Sequence, residues 1–413
     1  MSPSAYLDAH AADLTALLQR FIRVPTVNPP GENYDVITRL LMDELGAAGL
    51  KTRRFTIPAA LMRKHLPAEQ QGFPRYNVLG KLAARGAKKT IHFNAHYDVV
   101  PVSGKWRHGS PFSGTVEKGW IYGRGTADMK GSHAALILAL RALHATGTAP
   151  KMNVEVSFTA DEETDSELGA GWLVKHAPIR PDYAVVMEGG EGNGICCGHN
   201  GVVWLTVTVH GKAAHGSRPE QGINALEKMS ALVHALDAFK RVLAKRTFTA
   251  PDGTVKVPTI NIGGIFASGE GGKINTVPAL ASFSIDRRVL PVETVAAAEQ
   301  ELRTFLERAA KAIPQCRITV DKVSDNHPSF TPPEHPFFVT MADCVTRVRK
   351  QKSVFRTSYG FNDMHFFSHE LKIPTLGYGP GGDNCHAVDE RASVRELVAS
   401  AKIYAELLTT FAG

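Results

Sequence analysis

Leu7, Leu14, Leu17, Leu18 and Phe21 recur at helical spacing, which predicts a helix over about residues 4–22 with one face on a core. Pro25, Pro29, Pro30 and Gly31 end it, and Val36 to Leu50 reads as a second helix. Continuous apolar runs at Thr90–Val100, Asn153–Thr159, Ala184–Met187 and Ile373–Gly377 predict buried strands. Helical stretches at Ser132–Leu143 and Leu168–His176 lie between them. That alternation predicts an α/β fold with a mixed, largely parallel sheet, whose chemistry gathers at the carboxyl ends of the strands.

The pattern changes after Gly198. Val202–Val209 alternates like a half-exposed strand, followed by a helix at Ala225–Phe239, strands around Thr259–Phe266 and Ala279–Val289, a helix near Val295–Ala312 and a strand near Arg317–Val323. This β-α-β-β-α-β order predicts a small two-layer α/β sandwich inserted into the first domain. The expected division is residues 1–198 and 327–413 for the main domain and 199–326 for the insertion. Pro328–Pro336 reads as the return linker and Arg391–Phe411 as a closing helix.

Composition narrows the function classes. The 413 residues are 43% hydrophobic and 21% charged, an ordinary globular balance. A formal charge of +7 permits an acidic partner, but the basic residues are scattered without interleaved aromatics, so nucleic acid is not the expected partner. A field that draws in small carboxylates fits, as does a merely solvated surface. No basic and apolar leader opens the sequence and no apolar stretch would span a bilayer, so the expectation is a cytoplasmic protein without membrane contact. Five cysteines without zinc-finger spacing read as reduced thiols; Cys385 adjoins His386, but that alone does not make a nucleophile.

The candidate chemistry sits at the strand ends: His96-Tyr97-Asp98, Asp128-Met129-Lys130-Gly131, Asp161-Glu162-Glu163, Glu188-Gly189-Gly190, and, near the C-terminus, Cys385 through Glu390. Imidazole and oxygen donors gathered from separate strands suit a pair of divalent metals. Asp98 lies two residues beyond His96, on the same strand face, where it can hold the other ring nitrogen. Asp128 has a competing reading as the cap of the following helix. Three adjacent acids repel one another unless cations or protons relieve them, although a helix N-terminus also tolerates acids. Adjacent carboxylates point apart, so one can hold a metal while its neighbour carries a proton.

Phe93 to Pro101, Tyr122 to Gly131 and Asp161-Glu162-Glu163 together resemble the signatures of the M20 metallopeptidase family, which includes acetylornithine deacetylase, succinyl-diaminopimelate desuccinylase, aminoacylase and glutamate carboxypeptidase. The resemblance runs in order through nearly the whole chain. It implies a phosphorylase/hydrolase-like catalytic domain interrupted by a lid domain that mediates homodimerisation. It further implies two divalent ions, zinc with cobalt or manganese as alternatives, bridged by Asp128. His96 and Glu188 would complete one site, and Glu163 and His386 the other. Glu162 matches the general acid/base, Asp98 the partner of His96, and Asp128-Met129 a cis peptide. His215, in Val209 to Ser217, matches a histidine that reaches the partner subunit's active site. Asn275 and Arg288, in Lys273 to Pro278 and Asp286 to Pro291, match groups that hold the substrate carboxylate. By strand alternation Asp286 and Arg288 share one face and Arg287 takes the other. An exposed turn histidine and a surface salt bridge are the plainer readings of His215 and Arg288.

One stretch departs from the family pattern. Asn362 replaces a hydroxyl residue before Asp363, and His365 stands where arginine is common, so a succinyl or glutamyl specificity does not follow. The resulting expectation is a binuclear hydrolase of N-acyl amino acids. A metal-dependent dipeptidase or carboxypeptidase is the alternative, and a non-catalytic metal-binding regulator the remote one.

Overall fold

Apolar residues on both faces of a strand can be covered only inside a layered fold, and the two longest central strands show this directly. Beyond their first residues, Thr90–His96 and Asn153–Thr159 are buried throughout. A computed structural model describes residues 1–269 and 272–413. The described residues form two compact units, one of residues 1–198, 331–356 and 362–413 and another of residues 199–330 and 357–361.

In the first unit the sheet runs in the order Lys51–Thr56, Tyr76–Leu82, Asn153–Thr159, Thr90–His96, Tyr183–Val186, Thr375–Gly377, Gly194–His199. From Asn153–Thr159 to Thr375–Gly377 the neighbours are parallel, while the outer pairings are antiparallel. The fold is therefore mixed α/β with a parallel centre, as the sequence pattern predicts. A helix that is apolar on all sides belongs inside, and Gly131–Thr146 packs against Val394–Thr410 and Ala11–Ile22 accordingly.

Several boundaries differ from the sequence reading. The first helix is two, Pro3–Ala9 and Ala11–Ile22, parted at His10, whose ring N–H donates to the Tyr6 carbonyl at 2.8 Å. The segment read as a linker gives way at Pro336 to a helix, Pro336–Arg349; proline at a first helical position costs no hydrogen bond. Arg391–Ser393 is a short strand before the last helix.

The second unit has a four-stranded antiparallel sheet in the order Thr259–Ser268, Leu280–Val289, Gly201–His210, Arg317–Asn326. Ala225–Leu243 and Val295–Ala312 close a shared apolar core with it, giving the expected two-layer sandwich. Along Leu280–Val289 burial alternates residue by residue. Arg287 is fully buried and paired with Glu293 at 2.8 Å, whereas Asp286 and Arg288 share the other face.

Candidate active site

Carboxyl ends of parallel strands carry His96, Glu162, Glu163, Glu188 and, by a longer loop after Thr375–Gly377, His386. Asp128 departs from the expected strand end: it comes from the turn between Trp120–Tyr122, a strand of a separate antiparallel sheet, and the helix Gly131–Thr146. His96 ends its own strand and is 1% exposed. Its Nδ1 lies 3.1 Å from the Asp98 backbone carbonyl and 3.4 Å from the Asp98 carboxylate. A carbonyl only accepts, so Nδ1 carries a proton, and Nε2 is the ring nitrogen that faces the acids. Those acids are Asp128 at 3.0 Å, Glu188 at 3.7 Å and Glu162 at 3.9 Å. The carboxylate of Asp98 also accepts the backbone N–H groups of Glu162 and Glu163, each at 3.2 Å, and the Asn28 amide at 3.0 Å. It thereby holds the acid turn against His96.

Asp128 lies between two imidazoles. Oδ1 faces His96 at 3.0 Å, and Oδ2 faces His386 Nε2 at 3.1 Å. Glu163 joins the second group, 3.3 Å from His386. Asp128 does not cap the following helix; the residue at that cap is Lys130, and no side chain bonds there. The Asp128-Met129 peptide is cis.

The loop carrying Asp128 is held by Glu390. This fully buried carboxylate accepts the backbone N–H groups of Gly125, Ala127 and Asp128 at 2.9–3.1 Å and the Arg124 guanidinium at 2.6 Å. Asp161, the first of the three adjacent acids, faces away from the metal-type donors. It pairs with Arg75 at 2.8 Å, both side chains buried. Asn362 bonds Glu188, and Asp363 accepts a hydrogen bond from Ser166 at 2.5 Å. His365 is buried, with Nδ1 2.8 Å from the Asn362 carbonyl, so it supports the turn from behind.

Electrostatics make the cluster unusual. Burial pushes Glu162 well above the usual carboxylate range, with Glu188 adding to the effect, and pushes Glu163 and Asp363 up to about 7. Burial also disfavours a charged His96, yet Asp128, Asp98 and Glu188 outweigh it and raise its pKa well above normal. Asp128 carries the opposite shift: burial opposes ionisation, but His386 and His96 hold it low. Buried oxygens of Glu163 and Glu188 (one each) have no hydrogen-bond partner among the described residues. Crowded acids, orphaned oxygens and two imidazoles fit a pair of divalent cations. His96, Asp128 and Glu188 would hold one, and Asp128, Glu163 and His386 the other.

Beside this cluster lies a cleft of about 320 Å³, lined by Asp128, Glu188, Glu191, Arg356, Cys385 and glycine backbone. Sequence reasoning misses Arg356 and the supporting roles of Asn28, Arg75, Ser166 and Glu390. Glu390 alone carries a signal in sequence, at the end of the C-terminal Cys385–Glu390 motif.

The remaining candidates belong to the second unit. His215 is an exposed turn residue, its Nδ1 2.7 Å from Ser217 Oγ. Gly216 donates to the Asn275 carbonyl at 2.6 Å, so the His215 and Asn275 loops are joined. Arg288 donates to Asp286 at 2.8 Å and sits 6.0 Å from the Phe361 ring centroid. The salt-bridge reading of Arg288 is thus realised in this structure, and gripping a substrate would require sharing or exchanging that partner.

Residues 92–410 match the family model described as Peptidase family M20/M25/M40. The chain is 29% identical to an acetylornithine deacetylase of Photorhabdus laumondii over 401 residues, 96% of each protein. It is 30% identical over 352 residues to a succinyl-diaminopimelate desuccinylase of Methylocella silvestris, covering 81% of this chain and 85% of that one. Among solved structures, an M20 metallo-carboxypeptidase of Sulfolobus solfataricus aligns with TM-score 0.74 at 20% identity, over 95% and 97% of the two chains. The di-peptidase Dug1p of Saccharomyces cerevisiae aligns with TM-score 0.75 at 17% identity, over 98% and 97%. Matched over most of its length, the chain belongs to Peptidase family M20/M25/M40 and is a hydrolase of carbon–nitrogen amide bonds.

Proposed function

We propose that this protein is a binuclear metal-dependent deacylase, cleaving the amide of an N-acyl amino acid with Glu162 as general acid/base. The observation that carries the reading is Asp128, one oxygen toward His96 and the other toward His386, with Glu162 nearby but farther from His96 than Asp128. Zinc is the proposed metal, held by His96, Asp128 and Glu188 on one side and Asp128, Glu163 and His386 on the other. Two bound divalent ions would supply Lewis acidity and offset the crowded carboxylates.

The chain's own groups do the rest. Glu162, whose carboxylate is biased toward holding a proton, takes one from the attacking water and delivers it to the departing nitrogen. The carbon–oxygen bond forms, the carbon–nitrogen bond breaks, and a carboxylic acid and an amine leave. Asp98 keeps His96 oriented and fixes the turn that positions Glu162. Arg288 and Asn275 would hold the substrate carboxylate, and His215 of the partner subunit would stabilise the tetrahedral oxyanion. Dimerisation through the second unit is supported by Ile265 and Phe266, about three quarters exposed on the edge strand Thr259–Ser268. Five cysteines with no disulfide among the described residues favour a reducing compartment, the cytoplasm.

Similarity to a deacetylase and a desuccinylase favours N-acyl amino acids over dipeptides. A panel of both, assayed by amine release from the metal-loaded protein, decides between them. Glu162→Gln should reduce kcat by roughly 10²–10⁴-fold with two metals still bound. Undiminished turnover by the purified variant would remove Glu162 from the mechanism.

A further inference from the structure

We propose that Cys385 is a sulfur donor to the cation on the His386 side of Asp128, and that it biases this half of the centre toward thiophilic ions such as zinc. The inference rests on the metal-centre reading above and concerns a residue to which that reading gives no role.

Cys385 and His386 are consecutive, and side chains of consecutive residues usually diverge. Here Asn384 and His386 both take left-handed backbone angles, φ 59° and 62°, and the Ala387 N–H closes a turn on the Asn384 carbonyl at 2.9 Å. The turn brings both side chains to one atom. Cys385 Sγ is 3.2 Å and His386 Nε2 3.1 Å from Asp128 Oδ2. The donor atoms of Asp128, Cys385 and His386 all lie within 4.8 Å of one another.

Glu163 supplies a separate sign of a missing partner. Its side chain is only 6% exposed, one oxygen lies 3.3 Å from His386 Nε2, and the other is buried without a partner among the described residues. Oxygen from Asp128, nitrogen from His386 and sulfur from Cys385 make three converging protein donors, and Glu163, 3.3 Å from His386 Nε2, offers a further oxygen beside them. Among the described residues no cysteine sulfur joins the donor atoms grouped around His96; Cys196 donates instead to the Gly198 carbonyl at 3.2 Å, and Cys316 belongs to the second unit. The two halves therefore differ in softness, and thiolate favours zinc or cobalt over manganese or magnesium. Coordination releases the thiol proton to solvent as the sulfur–metal bond forms.

The test is absorption spectroscopy of the metal-free protein titrated with cobalt(II), without added thiols. The wild type should develop a near-ultraviolet sulfur-to-cobalt charge-transfer band with one of its two equivalents, and Cys385→Ser should lack it while still binding cobalt. Chelator competition should show zinc affinity at one site falling by at least about tenfold in the variant, the smaller loss seen when even an outer partner of a metal ligand is removed. Manganese affinity should hardly change. Two bound cobalt ions in the wild type with no such band, or the same band in Cys385→Ser, overturns the assignment while leaving the binuclear centre intact. Failure of the wild type to bind cobalt at all overturns the centre itself, and Cys385 with it.

Discussion

Asp161, Glu162 and Glu163 are neighbours in sequence yet finish in three environments. Asp161 takes φ 60°, which aspartate tolerates better than most residues, and this turns the chain so that its carboxylate points back to Arg75. Glu162 and Glu163 then fall on the His96 and His386 sides respectively. The acid triplet is legible in sequence, and so is the principle that adjacent carboxylates diverge. Arg75 is not, because nothing local distinguishes it among 47 lysines and arginines. Its place is fixed instead by tertiary packing, for a Cβ on Gly31 would come within 2.3 Å of its guanidinium, and Gly31 itself has φ 99°. Asp161→Asn should leave a buried guanidinium without its counter-charge and lower unfolding stability by about 3–5 kcal/mol, measured by urea denaturation. A loss below about 1 kcal/mol would match an exposed pair and contradict the buried one.

At the scale of elements, the parallel strands are legible because a doubly buried strand is a continuous apolar run. Asn153–Thr159 and the helix Val295–Ala312 match their predicted limits. Lys51–Thr56 and Tyr76–Leu82 escape the pattern: the first is a polar edge strand and the second is interrupted by Gly80 and Lys81. The loop before Gly131 is recognisable by its residues but not by what holds it. Glu390 satisfies three of its backbone N–H groups from far along the chain, a pairing that no local pattern reveals. Glu390→Gln keeps the shape but weakens the charge-assisted bonds to this loop. Metal affinity should fall about 10–100-fold while far-ultraviolet circular dichroism stays unchanged; unaltered affinity would show that the loop holds itself.

Across the whole molecule, a chain of net charge +7 concentrates Asp98, Asp128, Glu162, Glu163, Glu188 and Asp363 around two imidazoles. Cations that bind only the folded form stabilise it, by roughly 4 kcal/mol at a thousandfold excess over Kd. Exhaustive chelation should therefore lower Tm by several degrees, and zinc should restore it; an unchanged Tm would argue against folded-state metal binding. The proposed dimer makes a separate claim. Inactive His215→Ala and Glu162→Gln proteins, mixed under conditions of verified subunit exchange, should regain part of the wild-type rate. No regain would place His215 outside its partner's site.

The proposed donors come from five segments, and the last of them, at residue 386, follows the other four by nearly two hundred residues of chain. During synthesis the earlier four can gather only half a centre, one imidazole among an excess of acids. In the proposed centre, tight capture of both ions would therefore await the final loop and the helix that closes behind it, so that metal occupancy would report whether folding has run to completion.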